Sequence, residues 1–553
     1  MGTDMPTSTA AFDTKESTGS ADSFDCFRKI WDPEFSMQRW PPEDRPFVEF
    51  ARSVDAEGSD VDIFLREDQG PVPSHEAEDI AAFCHGRSLY KAPHGHRGAW
   101  LDDRETASGA CREYPYRLSA VQLYARLKRQ RFGLDGLPDA DRRLIYISDL
   151  DPYYVLALIA TVGYHQVESL RSAVWKHLAL QSSLGVKLPS RGYLIFELEF
   201  HVPYFALRST SLWHDHPHRN GEEKRGRLSR TWTDISFLNV SEEKGERAPR
   251  NSIQEAQISV VICGSSSQQW IAYAFVDNIW EAEDRPEDDA SLCGDHGFCE
   301  DPLINNGSTD ANRPLCDARE YFLAIVESRV RQVLKEWRYL VQTIERTIAS
   351  KFNDRSFPST KEKRGGTEAV MNWIICTIKL LRKLNDRLTE TILVWDTFSA
   401  AEGDISYFSD LCSTYPDPTR GHVRRSLIAT KSSFEELKAL NRRLGLRINF
   451  DNNCLALDSN ETAESTDLNM VITSIALALA YFGSTSHSLR LERNPKNVIG
   501  VIIGMIISVR LLAFLRTRLK RRGFSKHTLE YYRDGGTSKE QQQLSSVPNR
   551  RKA

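Results

Sequence analysis

YLIFELEFHVPYFALR, Tyr193 to Arg208, is the stretch on which the reading of the fold turns. Leu194, Phe196, Leu198 and Phe200 alternate with Ile195, Glu197, Glu199 and His201. A period of two puts alternate residues on opposite faces of an extended chain, so the stretch reads as a strand with one buried face. Working outward, LIYISDL (Leu144 to Leu150) has strand character, and YYVLALIATVGYHQVESLRSAVWKHLAL (Tyr153 to Leu180) gives two helical runs broken near Gly163. AQISVVICG and QWIAYAFVD flank the turn-prone GSSSQ, Gly264 to Gln268, which predicts an antiparallel hairpin. Residues 142–277 are therefore expected to form an α/β domain.

Beyond Ala318 the periodicity changes. Leu323, Val326, Val330, Val333, Trp337, Leu340, Ile344 and Ile348 recur every three or four residues, the apolar seam of a long helix. Val370, Ile374, Leu381, Leu384, Leu388, Ile392 and Trp395 repeat the theme. A third helix begins near His422 with Leu427, Phe434, Leu437, Leu440, Leu444 and Ile448 on its apolar side. No proline follows Pro418 until Pro495, so this helix is free to continue into the apolar run Leu468 to Ser486. A second apolar run covers Val498 to Leu515, and RTRLKRR, Arg516 to Arg522, follows it. At about 1.5 Å per residue the two runs cover roughly 28 and 27 Å, just enough for a hydrocarbon core of about 30 Å. The expected architecture is thus an α/β cytosolic domain with a long helical stalk and two C-terminal transmembrane helices, both termini lying in the cytosol.

The remaining divisions follow from composition. Residues 1–26 read as a disordered tail without a targeting segment, and 27–141 as an irregular N-terminal region. Residues 278–317 form an acidic loop and linker, 318–467 the stalk, 468–515 the hairpin and 516–553 a basic tail. A net charge of -4 over 553 residues excludes a strongly basic nucleic-acid binder. Ten cysteines at this length are most simply reduced thiols.

No set of catalytic residues stands out, and no enzymatic activity and no cofactor are expected. Cys293, His296, Cys299 and Cys316 are weak zinc candidates, because thiolate and imidazole suit that ion, but the first three crowd more than structural sites usually allow. Cys84, His85, His94 and His96 match no standard finger spacing, and the HDHPH segment from His214 to His218 resembles a metal cluster, but Pro217 and its polar surroundings read as an exposed loop between strands. Ser265, Ser266 and Ser267 lack a nucleophile-elbow or phosphate-loop context and read as turn residues. Glu461, Glu464 and Asp467, beside the first apolar run, are candidates for a cation-attracting entrance if several copies surround an axis.

The α/β domain, the long helices, the helix running into an apolar span, the second span and its basic end together resemble the CorA-like divalent cation transporter family, closest to its divergent fungal branch. The LIYISDLDPYYVLALIA, YLIFELEFHVPYFALR and CLALDSNETAESTDLNMVITSIALALAYFG stretches carry the likeness, which covers roughly residues 142–522. The resemblance implies a homopentamer in membrane lipid that moves divalent cations, Mg2+ foremost, down their electrochemical gradient through a pore lined by the first span. Asn469, Thr473, Tyr481, Phe482, Gly483, Ser484 and Thr485 would then line the pore, the last three standing where the family has Gly-Met-Asn. The alternative is a non-conducting CorA-like membrane scaffold or cation sensor.

Overall fold

The computed structural model describes residues 29, 31, 45–54, 56–66, 73–93, 96–115, 117–188, 195–209, 230–238, 251–277, 300–304, 309–353, 364–413 and 421–461. The chain divides into two compact units, 1–449 and 450–553, and helix up to Glu461 is what is described of the second.

Helices α1 (Phe47–Ser53), α2 (Asp60–Phe64) and α3 (Ser74–Cys84) come first, followed by strand β1 (Ala99–Arg104) and helix α4 (Ala120–Leu127). Ser59 and Ser119 begin α2 and α4 with reciprocal capping boxes to Asp62 and Gln122, satisfying backbone donors that a helix start leaves open. Short elements make up the described part of residues 27–141, and β1 is an edge strand of the main sheet. Strand β2 (Arg142–Ser148) leads to α5 (Pro152–Ile159), capped by Asp151 and started by Pro152, and then to α6 (Val167–Leu178). Strands β3 (Ser183–Lys187), β4 (Phe196–Ser209), β5 (Trp232–Asp234), β6 (Asn251–Gly264) and β7 (Trp270–Val276) complete the sheet.

The sheet runs β1-β2-β7-β6-β4-β3, with β5 also pairing on β6. Only β2 and β7 pair in parallel; the other pairs are antiparallel, so the sheet is mixed. The β6–β7 hairpin falls where the sequence places it. Gly264 is required there, because a Cβ would lie 2.4 Å from the Gln269 carbonyl oxygen and 2.6 Å from the Trp270 Cβ.

Long helices α7 (Ala318–Asn353) and α8 (Arg364–Phe398) cover one face of the sheet, and short α9 (Ser409–Ser413) and long α10 (Gly421–Glu461) follow. Phe196, Leu198, Phe200 and Val202 of β4 share a core with Val330, Val333, Trp337 and Leu340 of α7 and with Leu381, Leu384 and Leu388 of α8. Phe434, Leu437, Leu440 and Leu444 add the first part of α10, whose Phe434 ring stacks on Trp395 at 4.4 Å. Burying each such side chain contributes about 1.5–3 kcal/mol. On the opposite face α5, α6 and the N-terminal helices cover Ile145, Ile147, Val261, Tyr273 and Phe275. Strand β4 is therefore buried on both faces rather than on one.

Two expectations need correction. Among the described residues no helix is long and apolar enough to cross a membrane. The three longest, at 36, 35 and 41 residues, are amphipathic: the apolar stripe that meets the core is flanked by charges such as Glu327, Arg331, Lys383, Arg387, Glu436 and Arg443. The expected transmembrane pair at 468–515, with pore positions Asn469, Thr473, Tyr481, Phe482, Gly483, Ser484 and Thr485, lies outside the described residues. The architecture described is an α/β fold with a seven-stranded mixed sheet and long amphipathic helices, and no helix among the described residues supports the expected integral membrane protein.

Candidate functional site

The alternation that defines β4 presents Glu197, Glu199 and His201 away from the long helices, and α6 and β3 supply the groups that meet them. Lys176 Nζ lies 2.5 Å from Glu199 Oε2; Lys187 Nζ lies 2.6 Å from Glu197 Oε1 and 2.9 Å from Glu199 Oε2. Ser183 and Ser169 donate hydroxyls to Glu199 and Glu197. Burial works to raise the Glu199 pKa, but the ammonium groups of Lys176 and Lys187 pull it well below the ordinary carboxylate range. The same carboxylates lift Lys187 above its ordinary value against the effect of burial. Two carboxylates are thus matched by two ammonium groups and hydroxyl donors, an arrangement that binds strands to helix and leaves no carboxylate set open to a metal.

Beside this layer, His201 is fully buried and neither ring nitrogen has a hydrogen-bond partner among the described residues. Burial and the neighbouring Lys176 push its pKa down to about 3, so the ring is neutral near pH 7. His177 of α6 places Nδ1 3.1 Å from Ser259 Oγ and Nε2 3.2 Å from Asp277 Oδ1, the second contact lacking hydrogen-bond alignment. The order of groups is that of a nucleophile, a base and an orienting acid. All three are buried, at 0%, 0% and 5% exposure, whereas a nucleophile must meet its substrate. The trio joins other contacts in tying α6 to the sheet. Arg230 Nε donates to Asp277 Oδ2 at 2.6 Å while its Nη2 donates to the His177 carbonyl at 2.9 Å, placing a cation at the helix C-terminus. Although burial opposes ionisation, Arg230 and His177 bring Asp277 down to about 2, and burial keeps His177 below its usual value.

At the other end of the sheet, β1 and β2 bring Asp102, Asp103, Arg104, Arg142 and Arg143 into the interior. Arg142 Nη1 contacts Asp102 Oδ2 at 2.6 Å, and Arg104 Nε forks onto both Asp102 oxygens. Asp301 lies 3.8 Å from Arg142, whose guanidinium sits over the Tyr321 ring at 4.8 Å. Arg143 makes a two-pronged contact with Asp103, at 2.7 Å for each prong.

The sequence candidates are dispersed. Among the described residues no three His, Cys, Asp or Glu side chains gather as metal ligands. Cys84 is buried, and burial pushes its thiol up to about 12, away from the thiolate a metal needs. His85 is exposed, and His96 contacts Asp151 at 3.2 Å. Cys316 is half-buried with its carbonyl accepting from Trp270, while Cys293, His296 and Cys299 lie outside the described residues, as do His94 and the HDHPH segment. Ser265, Ser266 and Ser267 form the β6–β7 turn. Glu461 is the last residue of α10, its side chain not described, and Glu464 and Asp467 lie beyond the described residues.

No family model and no curated protein matches the chain. Among solved structures it is similar to one described as the structure of the full-length CmaX protein. That match has a TM-score of 0.31 and 12% identity, and it covers 77% of this chain and 100% of the other. A likeness at this level carries no argument about function.

Sequence reasoning did not find the Ser259, His177 and Asp277 contact or the Arg–Asp clusters. The trio comes from three separate elements with no local motif. The clusters did have a signal, the consecutive charges of LDDR and DRR inside extended segments.

Proposed function

We propose that the protein is a divalent-cation sensor of the CorA-like type, its divergent fungal branch included, with Mg2+ as the first cation to test. The observation that supports this reading is the order of parts: an α/β domain packed through one sheet face on two long helices, followed by a third long helix described as far as Glu461. That order matches what the sequence resemblance implies for a cation-responsive body. Glu461, Glu464 and Asp467 are the carboxylates proposed to attract the ion, since hard cations take oxygen ligands, and a homopentamer is the assembly that would multiply them. With the membrane expectation corrected, sensing rather than conduction is the form the proposal takes.

Limited proteolysis of the purified full chain tests it. Mg2+ should slow cleavage saturably relative to a sodium salt of equal ionic strength, and replacing Glu461 and Glu464 by Gln and Asp467 by Asn should remove the protection. Identical cleavage in Mg2+, Ca2+, Ni2+, Co2+ and sodium would contradict the proposal. Metal uptake by protein-bearing liposomes above the level of empty ones would assign conduction instead.

A further inference from the structure

Under the face of the sheet that carries Asp103 there is a cavity of about 100 Å³. Its wall is formed by the segment after α4, which supplies Lys128, Arg129 and Arg131, by Arg143 of β2, by Tyr273 of β7, and by His165 from the turn before α6. No carboxylate lines it. The acids nearby already have partners, two of them on the wall itself. Asp103 is gripped by Arg143 and the Tyr114 hydroxyl, with Arg112 at 3.8 Å; Asp141 accepts from Thr106 and Gln269; Glu49 lies 3.7 Å from Lys128.

Several donors at this wall are unspent. Arg131 gives Nε and Nη2 to the carbonyls of Ala140, Asp141 and Trp270, and Arg143 gives Nε and Nη2 to Asp103; the Nη1 group of each has no hydrogen-bond partner among the described residues. Neither does the Arg129 side chain or the Tyr273 hydroxyl. Arg112, Arg131 and Arg143 thus bring three positive charges to one carboxylate, Asp103. Burial and the neighbouring Arg143 bring Arg131 down to about 10, whereas Asp103 holds Arg143 above its ordinary value against burial, so the counter-charge here goes to Arg143 first.

We infer that this cavity binds a small multiply charged oxyanion of the phosphate class, held by Arg129, the free Nη1 groups of Arg131 and Arg143, and the Tyr273 hydroxyl. Guanidinium donors suit oxyanions through paired charge-assisted hydrogen bonds, and an anion with more than one charge offsets more of the excess than chloride does. The site is independent of the cation reading and stands if that reading fails.

Thermal unfolding of the full chain in inorganic phosphate, succinate and chloride at equal ionic strength tests the site. Phosphate should raise the midpoint saturably, and succinate and chloride should not. Arg129→Ala removes an exposed side chain without protein partners, and Tyr273→Phe removes one hydroxyl. Each should keep the fold and weaken the apparent phosphate affinity, by about tenfold for Arg129→Ala and less for Tyr273→Phe. An equal midpoint in all three salts would overturn the inference. So would a larger gain in succinate, or an unchanged affinity in both variants.

Discussion

The two faces of the β1–β2 corner handle the same chemistry in different ways. Toward the long helices, Arg104 and Arg142 meet Asp102 and Asp301, two cations to two carboxylates, and the Tyr321 and Trp270 rings cover Arg142. On the opposite face, one residue away in each strand, Arg112, Arg131 and Arg143 share Asp103 alone. The strand period accounts for the split, since Asp102 and Asp103 are neighbours in sequence and point to opposite sides. A balanced buried cluster has its charge spent inside the protein, whereas an unbalanced one retains capacity for an outside ligand.

Removing each central acid gives the largest test of that difference. Asp103→Ala strands Arg143, removes the carboxylate beside Arg112 and Arg131, and should cost about 3–5 kcal/mol in urea unfolding. Asp102→Ala leaves Asp301 beside Arg142 and should cost less, about 2–3 kcal/mol. Equal losses would erase the distinction between the faces. Strand β4 offers the next comparison. Phe200→Ala opens a hole on the helix side and should cost about 3–4 kcal/mol, with the midpoint rather than the denaturant slope carrying the change.

Its neighbour Glu199 belongs to the ion-paired side, and Glu199→Gln should cost about 1–3 kcal/mol near neutral pH by leaving Lys176 without its partner. Because the folded carboxyl is held below its ordinary value of 4.5, this contribution is complete above that pH and fades as the pH falls through the lower folded value. The gap between wild type and variant should close in acid. His201 has the smallest effect and the opposite sign. His201→Leu removes two unpartnered ring nitrogens and should stabilise the protein by about 1 kcal/mol near pH 7. The histidine titrates at about 3 folded and 6.5 unfolded, so the unfolded chain takes up the proton first on acidification. Stability is therefore lost between those pH values, and the variant should show a shallower loss.

These residues also show what the sequence made legible. The alternation from Phe196 to His201 identified β4, because a strand's period is local. It did not reveal that Glu197 and Glu199 are buried, because their partners Lys176 and Lys187 arrive from α6 and β3 through tertiary packing. Strand β1 was missed for a related reason: AWLDDR carries charge on both faces, and only the arginines of β2 make it suitable for the interior. The long helices were legible from their apolar seams, and the same seams explain why α7 and α8 pack on the sheet and why α10 joins their core. Unspent donors around a cavity are a property of assembled geometry. Arg129, Arg131, Arg143 and Tyr273 have no shared motif that would join them in advance.

Isothermal titration of inorganic phosphate into the full chain, at constant ionic strength, is the most direct measurement of whether the Asp103 face retains charge for a ligand. Saturable heat with one phosphate per chain, reduced in Arg129→Ala, is the expected result. Heat no different from that of a chloride titration would contradict it and leave both faces of the corner purely structural.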